Sequence, residues 1–433
     1  MINFVKNDII ELNIDNLGIN GEGIARIDGI TVFVKGGLVG EKVRAKVILV
    51  KPNFIVAKLL EILVPSPHRI QSKCPIFNKC GGCSLQHLEY DEQLKYKQKL
   101  VKETFKKVGE IDVEVQPTIA SKEIYGYRNK VSLPIRSVKG KIQMGFFMPA
   151  SHNIIDATTC PLQKDEINKV CMLMREFLDS YGGKPYDEND GSGDIRHLVV
   201  RSIGNKIYVT VVLNQNISLK SFEKLLKENF TRYALYKNHN SQRNNVILGK
   251  KTEFVGGDTS PIDVEGLKID VHPAGFFQVN DDIRQKIYNF VSQRVCGGKV
   301  IDAYSGAGLM TAQISKTASQ IYGIEINEDA HVSALILKEQ NGINNMFPIL
   351  GDSGKVIKDL VDKNCVVILD PPRTGCSLEV TNALKDLDCD IIYISCNPAT
   401  LARDVKNLGK TPKLVQPFDM FPQTPDVETV VIL

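Results

Sequence analysis

Two residues near the carboxyl end of this 433-residue chain have the types and settings for covalent chemistry: Cys396 and Glu428. Cys396 closes an apolar run that begins at Asp390, and Asn397-Pro398 follows at once. That pattern predicts a strand ending in an abrupt turn, with the thiol at the strand's carboxyl end. Open α/β sheets carry their reactive groups there. Glu428 lies between the proline-marked stretch 421–427 and a last apolar run, 429–433. A thiol and a carboxylate offered to one pocket supply a nucleophile and a general base. Activating a carbon of a flat, unreactive ring needs that pair. A free cysteine is more often a small buried hydrophobe; the strand-end setting singles this one out. Cys376 is the rival thiol, but it lacks that setting and reads as structural.

The elements that must position this pair show upstream. Residues 300–308 read as a strand running into a glycine loop with Gly306 and Gly308, followed by a helix-like run. Glycine lets a backbone approach a ligand closely, and a helix start offers free N–H groups. A second strand, 320–325, ends on Glu325, and a carboxylate there suits the hydroxyls of a ribose. The third, packing glycine of the dinucleotide fingerprint is missing after Gly308, which disfavours NAD. Asp370 follows a buried-type strand, and Pro371-Pro372 stiffens the turn that aims it. From Val271 onward strands and helices alternate, which predicts a mostly parallel sheet.

These residues resemble the RNA uracil-5-methyltransferase family, most closely its 23S rRNA branch. The likeness is carried by "DAYSGAG", "GIEIN", "LDPPRTGC", "ISCNPATLARD" and "DMFPQTPDVE", in order over most of 270–433, and by "CPIFNKCGGCSLQHL" upstream. It implies Cys396 as nucleophile toward carbon 6 of a uracil and Glu428 as the base that removes the carbon 5 proton. It implies S-adenosylmethionine as methyl donor, with Tyr304, Gly306, Gly308, Glu325 and Asp352 lining its cleft. Gln278, within "FFQVN", and Asp370 would hold the uracil edge or the cofactor. The substrate implied is a uridine of 23S rRNA, flipped out of a loop or single-stranded segment because a stacked base cannot react. Two departures stand out. Asp426 occupies a position where the family usually has His, and Leu309 replaces a frequent polar residue. The same catalytic domain could serve tRNA. A reading of another class is a non-catalytic RNA-binding protein that keeps the fold, against which the intact Cys396 and Glu428 speak.

Residues 1–61 alternate apolar and polar in short runs between glycine turns, the pattern of a small antiparallel barrel. It resembles the TRAM domain, an RNA-binding barrel. Pro65 and Pro67 mark a linker, and Cys74, Cys80 and Cys83 follow around Gly81-Gly82. Three cysteines in ten residues point to a metal, with Cys160 as the best fourth ligand. Spacing alone does not separate zinc from an iron–sulfur cluster; the resemblance implies a structural [4Fe–4S] cluster. Residues 62–260 read as a central α+β domain. Within it, a helix over about 90–108 could pack on the catalytic domain, 261–433. The stretch 125–130 mixes aromatics and cations suited to RNA.

The fold class expected is therefore α/β plus β: a Rossmann-like methyltransferase domain, a TRAM/OB-like amino-terminal barrel and a cluster-bearing central domain. A net charge of +4 does not by itself indicate nucleic acid. Lys95, Lys97, Lys99, Lys102, Lys106 and Lys107, however, crowd one stretch; a charge run taken alone reads as a solvated helix face, and the functional reading is a phosphate-facing surface. Ten irregularly spaced cysteines in so long a chain do not form a secreted disulfide framework. No apolar run has signal-peptide or membrane-span character. A cytoplasmic monomer is the expectation.

Overall fold

The computed structural model describes residues 4–138, 140–295 and 297–433. Its first unit is a curled six-stranded sheet. The short strands Ile9–Asn13, Gly23–Ile27 and Ile30–Lys35 wrap against the long pair Lys42–Lys51 and Phe54–Val64. Alternation puts Leu12, Val32, Val34, Val43, Ala45 and Ile55 inside. The Asp15 amide donates to the Ile24 carbonyl (2.9 Å) and draws the first strand back toward the third.

The central unit is a seven-stranded mixed sheet. Its middle strands, Ile195–Ile203 and Lys206–Leu213, are buried along their whole length. Helices Asp165–Tyr181 and Lys220–Asn229 contribute Val170, Met174, Phe177, Phe222 and Leu226 to its core.

The last unit carries the parallel sheet. In spatial order its strands are Met346–Leu350, Gln320–Glu325, Lys299–Asp302, Cys365–Leu369, Asp390–Ser395, Glu428–Ile432 and Leu414–Phe418. The first five are parallel, and Glu428–Ile432 is antiparallel to both of its neighbours. The chain order reverses beside Lys299–Asp302, and doubly wound sheets open their ligand crevice at such a point.

Short polar caps terminate the strands and start the helices. Asn280, Asn327, Asp352, Ser377 and Asn397 each accept a backbone N–H from the first turn of the helix that follows. Two apolar layers cover the sheet. Ile283, Ile287, Val291, Met310 and Leu337 belong to one; Ile357, Val380, Leu401 and Val405 belong to the other.

The second layer is completed from the amino-terminal half of the chain. Helix Tyr90–Thr104 and the π-helical turn Phe105–Gly109 insert Val101 and Phe105, both fully buried, beside Leu401 and Ala402. The same helix touches the first unit, because the Tyr96 hydroxyl donates to the Gly18 carbonyl (2.7 Å). It therefore bridges the barrel and the catalytic unit. No helix among the described residues is long and apolar enough to cross a membrane.

Candidate active site

Asn397 and Pro398 dictate the turn that presents Cys396. Asn397 has extended backbone (φ −129°, ψ 99°), its side-chain oxygen accepts from the Ala399 amide (3.1 Å), and Pro398 opens helix Pro398–Leu408. The Asn397 side-chain Nδ2 also donates to the Arg373 carbonyl (3.1 Å), tying this turn to the one after Asp370. Cys396 is thus left half-buried between a strand end and a helix start. The free N–H groups of a helix start favour a thiolate.

Three charged residues surround the sulfur. Burial, then Glu428, pushes the Cys396 thiol up to about 11; Arg373 opposes this, and Asp370 adds to it. Glu428 begins its strand only 2% exposed. Burial, then Asp370, raises its carboxyl well above the ordinary range, against the pull of Arg373. Asp370 is itself pushed up to about 7 by burial and by Asp302. Cys396, Glu428 and Asp370 therefore gather at the ends of adjacent strands, with the Arg373 guanidinium as the cation among them.

The glycine loop lies next to this group. Gly306 has φ +55° and open space where a Cβ would stand, so the loop leaves room for a ligand. The Gly306 amide donates to Glu325 (2.9 Å), and the Asn327 amide donates to the other oxygen of the same carboxylate (2.6 Å). Gly308 has a different reason. A Cβ there would stand 2.8 Å from Met346 Cε and 3.0 Å from Ala334 Cβ, so Gly308 is required by close packing. Asp352 caps helix Ser353–Leu360 through the Gly354 amide (2.8 Å). Tyr304 is half-buried, with its hydroxyl against Cys376. Gln278 is half-buried at the entrance, and its carbonyl accepts from Asn129 (2.8 Å).

Two features here, Asp302 and Arg373, escaped sequence reasoning. Asp302 is fully buried, is pushed up to about 6 by burial, and receives the Thr311 hydroxyl (2.6 Å). Its other oxygen has no hydrogen-bond partner among the described residues. Arg373 stood in "LDPPRTGC" and signalled itself only as part of that motif. Cys376 is 8% exposed, its amide donates to Asp404 (2.8 Å), and burial pushes its thiol up to about 11.

The lysine stretch needs a correction. Lys97 is fully buried, not phosphate-facing; its ammonium bonds Asp419 and the Phe421 carbonyl (3.0 Å). Lys99 is exposed and bonds Asn16 (2.9 Å), and Lys102 and Lys106 are exposed as well. The stretch 125–130 is divided as well. Tyr127 and Asn129 turn inward, and the Tyr127 hydroxyl donates to the Pro422 carbonyl (3.1 Å).

Cys74, Cys80, Cys83 and Cys160 come within electrostatic reach of one another. Two of the sulfurs accept N–H groups, Cys80 from Gly82 (3.3 Å) and Cys83 from Gln86 (3.2 Å). Burial pushes Cys83 up to about 12. No three such ligands among the described residues lie close enough to hold a single ion. A tetrahedral zinc at about 2.3 Å from each sulfur needs tighter convergence. A polynuclear cluster holds its thiolates farther apart, and the N–H groups on sulfur suit it.

Comparison with known proteins finds similarity along nearly the whole chain. The tRNA (uracil-5-)-methyltransferase family model covers residues 355–433, and the TRAM domain model covers 5–60. An uncharacterized RNA methyltransferase of Clostridium tetani is 38% identical over 99% of this chain and 96% of its own length. Another, of Listeria innocua, is 36% identical over 99% of this chain and 98% of its own. The chain belongs to the RNA uracil-5-methyltransferase family. The crystal structure of Pyrococcus abyssi tRNA (uracil-54, C5)-methyltransferase, in complex with S-adenosyl-L-homocysteine, superposes with a TM-score of 0.81. It is 27% identical, with 98% of this chain and 100% of that one covered. The present chain carries the TRAM domain over residues 5–60.

Proposed function

We propose that this protein methylates carbon 5 of a specific uridine in 23S rRNA through a covalent bond between Cys396 and carbon 6. The observation that carries the reading is the convergence of Cys396, Arg373, Glu428 and Asp370 beside an open glycine loop. S-adenosylmethionine, held between the Gly306 loop and Glu325, supplies the electrophilic methyl group. Gln278, Tyr304, Asp352 and Asp370 complete that cleft in this reading.

Carbon 5 of uracil is a weak nucleophile. The Cys396 sulfur adds to carbon 6, which breaks the ring conjugation and leaves an enolate with electron density at carbon 5. Carbon 5 then takes the methyl group. Glu428 removes the proton left on carbon 5, the carbon 6–sulfur bond breaks, and the ring double bond re-forms. Burial and neighbouring carboxylates disfavour the charged forms of both protein groups. Arg373 and the positive sulfur of the methyl donor favour the thiolate and the carboxylate.

The motif likeness to the rRNA branch supports 23S rRNA as the substrate. The second reading, tRNA, has its own support in the full-length likeness to a tRNA enzyme. Mapping 5-methyluridine in both RNA classes from a strain lacking the gene decides between them. Loss from 23S rRNA alone is expected; loss from tRNA alone refutes the assignment.

We further propose that Cys74, Cys80, Cys83 and Cys160 hold a structural [4Fe–4S] cluster. The motif likeness and the mutual electrostatic reach of the four sulfurs support that reading. Protein purified anaerobically should contain iron and sulfide in near-equal amounts. Stoichiometric zinc without iron would refute it.

A further inference from the structure

The loop that leads into Glu428 is held in an unusual way. Gln423 is 1% exposed and has φ +71°, a left-handed backbone that side-chain-bearing residues seldom adopt without outside support. The support is visible. The Gln423 carbonyl accepts the amides of Ser84 (3.2 Å) and Leu85 (3.0 Å), which directly follow Cys83. Its side-chain oxygen accepts from Gln93 Nε2 (3.1 Å), and its own amide donates to Gln93 Oε1 (3.0 Å). Gln93 is fully buried, and its amide also donates to the carbonyls of Leu85 (3.1 Å) and Leu88 (2.8 Å). On either side, Lys97 and Tyr127 take the carbonyls of Phe421 and Pro422. Five residues beyond Gln423, Glu428 enters the pocket.

These bonds join residues some 330 positions apart, and none of the side chains forming them touches the reacting atoms. We propose that the reciprocal Gln93–Gln423 amide pair, seated on the Ser84 and Leu85 amides, positions Glu428 for removal of the carbon 5 proton. The proposal rests on Glu428 being the base. Gln93 and Gln423 are positioning residues. Their loss should slow the elimination step and leave methyl transfer into the covalent intermediate intact, because Cys396 is held separately by Asn397 and Arg373.

The test uses the full chain with its metal, donor labelled on the methyl group, and RNA from a strain lacking the gene. Gln423→Gly is the primary variant. Glycine accepts φ +71° freely and keeps the backbone bonds to Ser84, Leu85 and Gln93 Oε1, so only the bond from Gln93 Nε2 to the Gln423 side chain is lost. Gln93→Met, of similar volume, removes the pair from the other side. A base misplaced by about 1 Å should slow turnover roughly 10- to 100-fold. Labelled RNA should then accumulate on the protein in denaturing gels, with a first-turnover burst close to that of the unaltered enzyme. Glu428→Gln is the reference. If it traps the adduct while Gln423→Gly turns over normally, or slows without trapping, the positioning role falls alone. If Glu428→Gln itself traps nothing, the assignment of the base falls, and the positioning role falls with it.

Discussion

Two groups of cysteines sit in one protein under opposite conditions. Cys74, Cys80, Cys83 and Cys160 lie within reach of one another, with N–H groups on two of the sulfurs and one another's sulfurs as principal charged neighbours. Cys396 stands alone at a strand end, ringed by Arg373, Asp370 and Glu428. The first setting suits sulfur as a permanent ligand. The second suits sulfur that must ionise, bond to carbon and leave again. Burial raises the thiols in both. The neighbours that could take or stabilise charge therefore distinguish them. Helix Tyr90–Thr104 links the two regions through Gln93 and Lys97.

The largest effect should come from Cys396. Replacing it by alanine should lower methyl transfer by about 10⁴-fold or more, as loss of a covalent nucleophile does, while donor binding persists. Cys376→Ala should stay within about tenfold of normal. Comparable loss from both variants would erase the distinction between a reactive thiol and a packed one.

Loss of any ligand in the other group should act on the protein as a whole. Cys83→Ser should remove the iron and lower the thermal midpoint, because metal binding free energy is folding free energy. Unchanged iron and midpoint would place the cluster elsewhere.

The link between the regions is testable through Lys97. Lys97→Met leaves Asp419 buried and uncompensated, which should cost about 3–5 kcal/mol of stability by denaturant titration. Lys102→Met, on the exposed side of the same helix, should cost almost nothing. Equal, small effects would mean that Lys97 is not the buried tie.

A gentler handle is the charge of Asp370. Its folded carboxyl titrates near 7, above its unfolded value of about 3.9. Its relative contribution to stability is present below about pH 4 and fades as the pH rises through 7. Asp370→Asn should therefore raise the thermal midpoint more at pH 8 than at pH 5, while impairing methylation. A larger gain at pH 5 would contradict the direction of the shift.

The smallest effect concerns RNA. Glutamate at the exposed Lys102 and Lys106 should weaken RNA binding a few-fold at low salt. Each lost phosphate contact should make the log–log salt slope shallower by about 0.7. No change would identify that helix face as merely solvated.

Much of the site was legible because its signals are local. Asn397-Pro398 specifies a cap and a helix start within two residues, and so exposes Cys396. The glycine loop and the strand-ending carboxylates are likewise set by neighbouring residues. What stayed hidden depends on partners distant in sequence. A lysine in a charge run looks solvated until Asp419, 322 residues away, reaches it. Gly308 is a glycine because of Ala334 and Met346. Asp352 shows the same acid after a strand whether it caps a helix or binds a ligand. Nothing around Gln93 and Gln423 marks them as partners, since the bond between them exists only once the barrel, the cysteine loop and the sheet have assembled.

The most direct measurement uses RNA carrying 5-fluorouridine at the target, incubated with the enzyme and S-adenosylmethionine. Fluorine at carbon 5 cannot be removed as a proton, so addition to carbon 6 and methyl transfer should leave a permanent adduct. The expected result is a one-to-one protein–RNA adduct, stable to denaturation, whose peptide mass places the bond on Cys396 and includes one methyl group. Normal methylation of unmodified RNA with no adduct on the fluorinated RNA, or an adduct on Cys376, would contradict it.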